Sequence, residues 1–417
     1  MAVPSKRRRA PLRLRLLLLG ISLGMCALAA EALFHLAPGL LPAAFRLRFP
    51  PHGIEFFHPG LLDRTSLGTL PMPFGTDPYS GPPPHDLVTR GIAPADQARL
   101  DRDATPRIDV PTDPDGLPNA APSTTADVVM VGDSFLVYGA QTEPPGLAPT
   151  LARELGGSIK NLGVSGAGPD LGLSLLRTVG LPARPRLVLW FFFGGNDVLD
   201  AQVDHDREQQ GLRTWGDLMR DRRAPRLILP ALVASWFQPA RSQLQVPAPL
   251  PGLTMPAAAD APTWFLPEYL LALAVPSDVR LALPGWARAQ QRLREGHAAA
   301  VAAGAKFVLV FVPSKEQVHL PYVTIDGPTF QRCAAVGADG EALLAAAKAN
   351  RLQLEEAVAA TCSDAAIPHW SCTATLDGLA RAGTSGFYAT DTHWNAAGQV
   401  AVARALAAHL RAQGIWP

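Results

Sequence analysis

The chain has 417 residues, 48% of them apolar, which is ample for a buried core and too much for a disordered polymer. Its net charge is only +1, and six basic residues, Lys6, Arg7, Arg8, Arg9, Arg13 and Arg15, crowd into the first fifteen positions, leaving 31 basic against 36 acidic residues elsewhere. No nucleic-acid partner is expected, because phosphate binding relies on a concentrated basic face in the folded part.

Behind the basic tip (residues 1–15), residues 16–34 form an apolar run broken by one acid, Glu31, close to the length that crosses a bilayer. The basic flank places the N-terminus inside and everything after residue 37 outside. Residues 16–37 are therefore read as a single-pass anchor in a bacterial-type inner membrane, with the rest periplasmic or extracellular. Ala27-Leu28-Ala29 offers the competing reading, a signal-peptide cleavage site. Residues 38–122 are proline-rich, with Pro82-Pro83-Pro84 and Pro111-Thr112-Asp113-Pro114 as turn punctuation, and read as a juxtamembrane stalk.

From residue 123 to 417 short apolar runs alternate with helical patterns. Val128-Val129-Met130-Val131 reads as a buried strand, followed by a helix around 147–155, a strand into Asn161, a helix around 171–177 and a seven-residue apolar run at 187–193. Later come a helix near 286–303, a strand at 307–312 running into Pro313-Ser314-Lys315-Glu316, and a long helical stretch from about 341 to 360. A last helix carries Val402, Leu406 and Leu410 at helical spacing behind Asn395 as N-cap. Such alternation predicts an α/β domain with a parallel sheet covered on both faces.

Between about 201 and 284 the pattern breaks into a basic stretch, an apolar stretch and a proline-dense stretch, read as an insertion that is either a lid or a packing subdomain. Trp236, Phe237, Trp264 and Phe265 are candidates for a sugar groove, although core packing is the simpler reading of each. Asp204-His205-Asp206 looks like a ligand trio, but Arg207 and Glu208 beside it favour a solvated loop.

Four short motifs fall at the ends of these elements: Gly132-Asp133-Ser134, Asn161-Leu162-Gly163-Val164-Ser165-Gly166, Gly194-Gly195-Asn196-Asp197 and Asp391-Thr392-His393-Trp394. A serine hydroxyl near neutral pH needs a base within hydrogen-bond reach, and the base needs a third group to fix its tautomer. The carboxyl ends of strands are where open α/β sheets bind ligands. In content and order the motifs resemble the SGNH (GDSL-type) hydrolase family over roughly residues 126–410, with a gap across the insertion. The resemblance implies a three-layer flavodoxin-like fold, Ser134 as nucleophile, His393 as general base and Asp391 as the residue that orients it. It also implies an oxyanion hole built from the Ser134 and Gly166 N–H groups and the Asn196 amide.

One residue separates Asp391 from His393 where that family usually has two. The Asp-x-His-Trp block is similar to the SGNH-like proteins that O-acetylate alginate and other exopolysaccharides, although in those it precedes the serine motif. The Gly-x-Ser-x-Gly signature of α/β-hydrolases is absent, and residues 163–168 lack the order and the Lys-Ser/Thr of a P-loop.

The leading expectation is a membrane-anchored serine esterase acting on small acyl esters, acetyl above all, on glycans through an acyl-enzyme. Two alternatives stay open: an O-acetyltransferase of exopolysaccharide modification, with a membrane-embedded acyl-donor partner, and a non-catalytic glycan-binding or scaffold protein. No metal or other cofactor is expected, since there is no Cys-x-x-Cys and no His cluster. Beyond Cys26, three cysteines allow at most one intramolecular disulfide, with Cys362–Cys372 the simplest pairing and Cys333 the other possible partner.

Overall fold

The computed structural model of the chain describes residues 11–36, 113, 117–121, 123–142, 144–209, 229, 254–255, 258–262, 265, 267–322, 327, 339–388 and 392–417. Most of the stalk, most of residues 210–253, Trp236, Phe237, Trp264, Cys333 and Asp391 therefore lie outside the described residues.

In chain order the strands are β1 (Val128–Val131), β2 (Ile159–Asn161), β3 (Leu187–Phe193), β4 (Thr254–Met255), β5 (Ala258–Pro262), β6 (Lys306–Val312) and β7 (His369–Ser371). The helices are α1 (Leu12–Leu36), α2 (Ser134–Tyr138), α3 (Leu147–Leu155), α4 (Pro169–Leu175), α5 (Asp197–Gln209), α6 (Pro267–Ala274) and α7 (Ser277–Leu281). They continue with α8 (Pro284–Ala302), α9 (Lys315–His319), α10 (Gly340–Asn350), α11 (Gln353–Asp364), α12 (Thr373–Arg381) and α13 (Ala396–Ala412).

Five strands pair in parallel in the order β2-β1-β3-β6-β7, while β4 and β5 form a separate antiparallel hairpin. Counted within the sheet, this is the 2-1-3-4-5 order of flavodoxin-like folds, as the family resemblance implies.

Successive residues of each central strand face opposite sides, so a continuously apolar strand feeds two cores. Leu187, Leu189, Phe191 and Phe193 enter one core together with Val128, Met130, Val308 and Val310. Val188, Trp190 and Phe192 enter the other with Val129, Val131, Leu309 and Phe311. The first core is covered by apolar residues of α3, α6, α10, α12 and α13, the second by those of α4, α5, α8 and α11. On the second face Asp170 of α4 is fully buried and accepts from both Arg288 Nε and Arg292 Nε of α8 at 2.6 Å, a fork that pins the two helices together.

Several expectations are corrected. The helical stretch at 341–360 is two helices, α10 and α11, separated at Arg351–Leu352, and neither Gly nor Pro marks the break. Asp204-His205-Asp206 lies inside α5 rather than in a loop, and Asp204 is buried, which pushes its carboxyl up to about 7. Cys362 and Cys372 are free thiols. They belong to the two opposite cores, so the sheet stands between them and no bridge can form. Phe265 is fully buried in the first core, the simpler of its two readings.

Helix α1 spans 25 residues. Among the described residues no helix is long and apolar enough to cross a membrane. In α1 the charges at Arg13, Arg15 and Glu31 bracket an uncharged run of only fifteen residues, about 22 Å of helix.

Candidate active site

Ser134 opens α2 three residues beyond β1, and the turn between them is made by Gly132 and Asp133. Asp133 caps the helix, its Oδ1 accepting from the Phe135 N–H at 3.1 Å. The half-buried serine Oγ lies 2.7 Å from Nε2 of His393, a residue 259 positions later. In the tautomer with its proton on Nδ1, the imidazole accepts the serine hydroxyl at Nε2.

His393 is 4% exposed and held by aromatic rings. Tyr138 stacks on it with centroids 4.0 Å apart and planes 9° from parallel. Phe135 meets it at 4.9 Å, and itself packs against Trp394 and Phe193. The loop carrying the histidine is fastened at several points. Phe387 and Trp394 form an antiparallel bridge, the Tyr388 N–H donates to His393 O at 3.0 Å, and Asn395 Nδ2 donates to Ser385 O and Phe387 O at 2.9 Å each. Lys315, buried at the start of α9, donates from Nζ to Tyr388 O at 3.0 Å.

The other predicted residues lie on neighbouring strand ends. Gly166 follows β2 and has φ +72°, a conformation costly to any residue with a Cβ. Gly163 is needed for a different reason: a Cβ there would stand 2.5 Å from the Leu136 side chain. Asn161 locks this turn to α2, its Nδ2 donating to Leu136 O at 2.7 Å and its Oδ1 accepting from the Gly163 N–H at 2.8 Å. Asn196 follows the Gly194-Gly195 turn after β3, half-buried, with its Oδ1 buried and without a hydrogen-bond partner among the described residues. Among the described residues the N–H groups of Ser134 and Gly166 donate to no protein acceptor.

Ser134, Gly166, Asn196 and His393 thus gather at the carboxyl edge of the sheet, with Ser134 and Asn196 on the adjacent ends of β1 and β3 where the strand order reverses. Two further histidines, His319 and His369, make no hydrogen bond with the serine. His319 is fully buried in α9, with neither ring nitrogen hydrogen-bonded among the described residues, and burial followed by the Lys315 charge pushes its pKa down to about 3. His369 sits exposed on β7.

Behind the serine lies a group of buried carboxyls. Burial raises Asp133 to about 6 against the opposing pull of His393. Asp197, whose Oδ2 accepts from the Phe193 N–H at 3.0 Å, is pushed well above the carboxylate range by burial and by the charges of Asp133 and Asp200. Asp200 is raised in the same direction by burial, Asp133 and Asp204. Among the described residues no group of His, Cys, Asp and Glu is arranged to hold a metal ion.

Sequence reasoning missed Tyr138, Phe135, Asn161 and Lys315 as parts of this site. Tyr138 had one available signal, its position four residues after Ser134, which places both on one face of a helix.

A serine hydroxyl paired with a buried imidazole at the carboxyl edge of a parallel sheet defines an ester-acting enzyme, a hydrolase or an acyltransferase. Residues 336–416 match the family described as the SGNH hydrolase-like domain of the acetyltransferase AlgX. That match takes in the Asp391-Thr392-His393-Trp394 block and begins after Ser134, Gly166 and Asn196.

Among solved structures, similarity extends to a catalytic mutant of Axe2, an acetylxylan esterase from Geobacillus stearothermophilus, at 12% identity over 70% of this chain and 94% of that one, with a TM-score of 0.33. It extends also to the lipase/acylhydrolase from Enterococcus faecalis, at 11% identity over 69% and 95%, with a TM-score of 0.32. A GDSL-like lipase from Bacteroides thetaiotaomicron matches at 12% identity over 68% and 88%, with a TM-score of 0.30. Comparison with curated protein sequences finds no match.

Proposed function

We propose that the protein is an extracytoplasmic serine esterase of SGNH type that removes small acyl groups, acetyl above all, from glycans. The observation that carries this reading is the 2.7 Å contact between Ser134 Oγ and His393 Nε2. In the proposed reaction His393 takes the hydroxyl proton as Ser134 Oγ attacks the ester carbonyl, and then returns it to the leaving sugar hydroxyl. Water, activated by the same imidazole, releases the acyl group as a carboxylic acid. Asp391 orients His393, and the N–H groups of Ser134 and Gly166 with the Asn196 amide receive the developing oxyanion. Glycan esters are favoured by the match of residues 336–416 to the acetyltransferase family.

The same match favours one alternative, transfer of the acyl group from Ser134 to a glycan hydroxyl in place of water. A transferase would draw its acyl group from a membrane-embedded donor protein. Anchoring in the inner membrane belongs to the same proposal. It is supported by the basic tip and by α1, which exposes Leu16, Leu18, Leu19, Ile21, Leu23 and Met25 around its circumference. The one acid of that run, Glu31, accepts a hydrogen bond from the Leu229 N–H at 2.8 Å.

An aryl fluorophosphonate should label the purified protein at Ser134, and Ser134→Ala should abolish hydrolysis of a short-chain aryl acetate with unchanged far-UV circular dichroism. Labelling elsewhere, or wild-type activity in the alanine variant, removes Ser134 from the mechanism and returns the protein to a binding or scaffold role. Supplying an acceptor oligosaccharide and analysing the products by mass spectrometry separates hydrolysis from transfer.

A further inference from the structure

Beside the Gly194-Gly195-Asn196 turn a narrow cleft is lined by Gly194, Gly195, Tyr269, Arg280, Gln317 and Arg351. Gln317 is already engaged, its Nε2 donating to Glu355 Oε2 at 2.7 Å. Arg280, on α7, is not: its Nε and one terminal nitrogen are buried and have no hydrogen-bond partner among the described residues. Burial lowers its pKa, in the direction expected of a cation without an opposite charge beside it. A guanidinium so placed is costly unless an anion completes it, and its planar fork matches a carboxylate.

The position of the cleft gives that guanidinium a use. Gly194 is two residues from Asn196, at most about 7 Å along the chain, so the wall of the cleft that Gly194 forms stands within a short acyl chain or one sugar unit of the proposed oxyanion site. We propose that Arg280 and Arg351 form a carboxylate-binding subsite that takes an anionic group of the ester substrate. The carboxylate arrives either on the acyl chain, as in a hydrogen succinate ester, or on the sugar, as in an acylated uronic acid. This assignment deepens the esterase reading and rests on it for the word substrate, while the binding site itself stands on the cleft and the unpartnered guanidinium.

The first test is binding to the full chain in detergent. Succinate or glucuronate should raise the melting temperature of the wild type and not that of Arg280→Gln. The second is a pair of selectivity ratios. If the acyl chain carries the anion, the wild type prefers 4-nitrophenyl hydrogen succinate to its methyl ester, and Arg280→Gln lowers that ratio of kcat/KM about ten- to hundredfold, the loss expected for a hydrogen bond between charged groups. If the sugar carries it, the same fall appears between an O-acetylated oligouronate and its carboxyl-reduced form.

Arg280→Lys should recover part of the ratio, and Arg351→Gln provides a second reading should Arg280→Gln fold poorly. Ester hydrolysis with ratios that neither arginine variant moves overturns the subsite alone. Arginine-dependent succinate or glucuronate binding in a protein that hydrolyses none of these esters sinks the esterase reading and leaves the subsite standing.

Discussion

The stack of Tyr138 on His393 restrains the imidazole plane, and its effect should appear in turnover rather than in substrate binding. Aromatic pairs contribute about 0.5–1.5 kcal/mol, so Tyr138→Leu is expected to lower kcat roughly two- to tenfold with little change in KM. Tyr138→Phe, which keeps the ring, should remain near wild type. Steady-state kinetics on an aryl acetate decides this, since equal losses in both variants assign the effect to the hydroxyl and not to the stack.

His319 gives a second residue-scale prediction, one of stability. Its folded pKa of about 3 lies below the ordinary histidine value of 6.5, because the buried ring resists protonation. The stability it contributes is present above pH 6.5 and is lost as pH falls toward 3, where the unfolded chain takes up a proton that the folded one refuses. His319→Leu, of similar volume and with no ring nitrogen to leave unsatisfied, should therefore lose less melting temperature than the wild type between pH 7.5 and 5. A pair of thermal melts at those two values measures it, and parallel shifts in the two proteins would show that His319 is not the titrating group.

At the scale of elements, the strands and helices read correctly in the sequence are those whose pattern is decided by burial alone. The run at 187–193 is apolar throughout because both faces are covered, and α3 and α13 show their buried faces at helical spacing. The elements that escaped are set by tertiary contact: β7 is three residues, His369-Trp370-Ser371, with Trp370 its one large apolar side chain, too little to mark a strand until β6 pairs with it. The break between α10 and α11 likewise has no local signal.

Ser134, His393 and the strand-end glycines were legible as motifs, whereas the pairing of Tyr138 with His393 joins positions 255 apart and leaves no trace in local pattern. Asn161 was visible only as a motif letter, yet it is the tie between α2 and the Gly166 turn. Asn161→Ala strands the buried Leu136 carbonyl and Gly163 N–H, at about 1–3 kcal/mol for each group left unsatisfied. Urea unfolding should show a loss of about 2–4 kcal/mol at unchanged m-value. A loss below about 0.5 kcal/mol would mean that these bonds do not hold the turn.

For the whole molecule, the proposed anchor makes a topological prediction. Intact chain should remain with membranes through an alkaline wash, and in spheroplasts external protease should digest the domain while residues 1–15 stay protected. Recovery of soluble protein beginning at Ala30 or Glu31 would establish cleavage of the leader instead.

Residues 415 and 416 are fastened to the domain at several points. Trp416 Nε1 donates to Leu155 O at 2.8 Å, Lys306 Nζ donates to Ile415 O at 2.7 Å, and the Arg186 guanidinium lies 4.6 Å over the Trp416 ring. These contacts seat α13, and the loop just before α13 presents His393. Synthesis runs from the other end: at about 5–20 residues per second the ribosome completes Ser134 roughly 10–50 s before it completes His393. On the proposed mechanism a nascent chain that has Ser134 but not yet His393 carries an unactivated alcohol. Activity then waits for α13 to seat and present His393, so the hydroxyl stays in reserve until the domain around it is assembled.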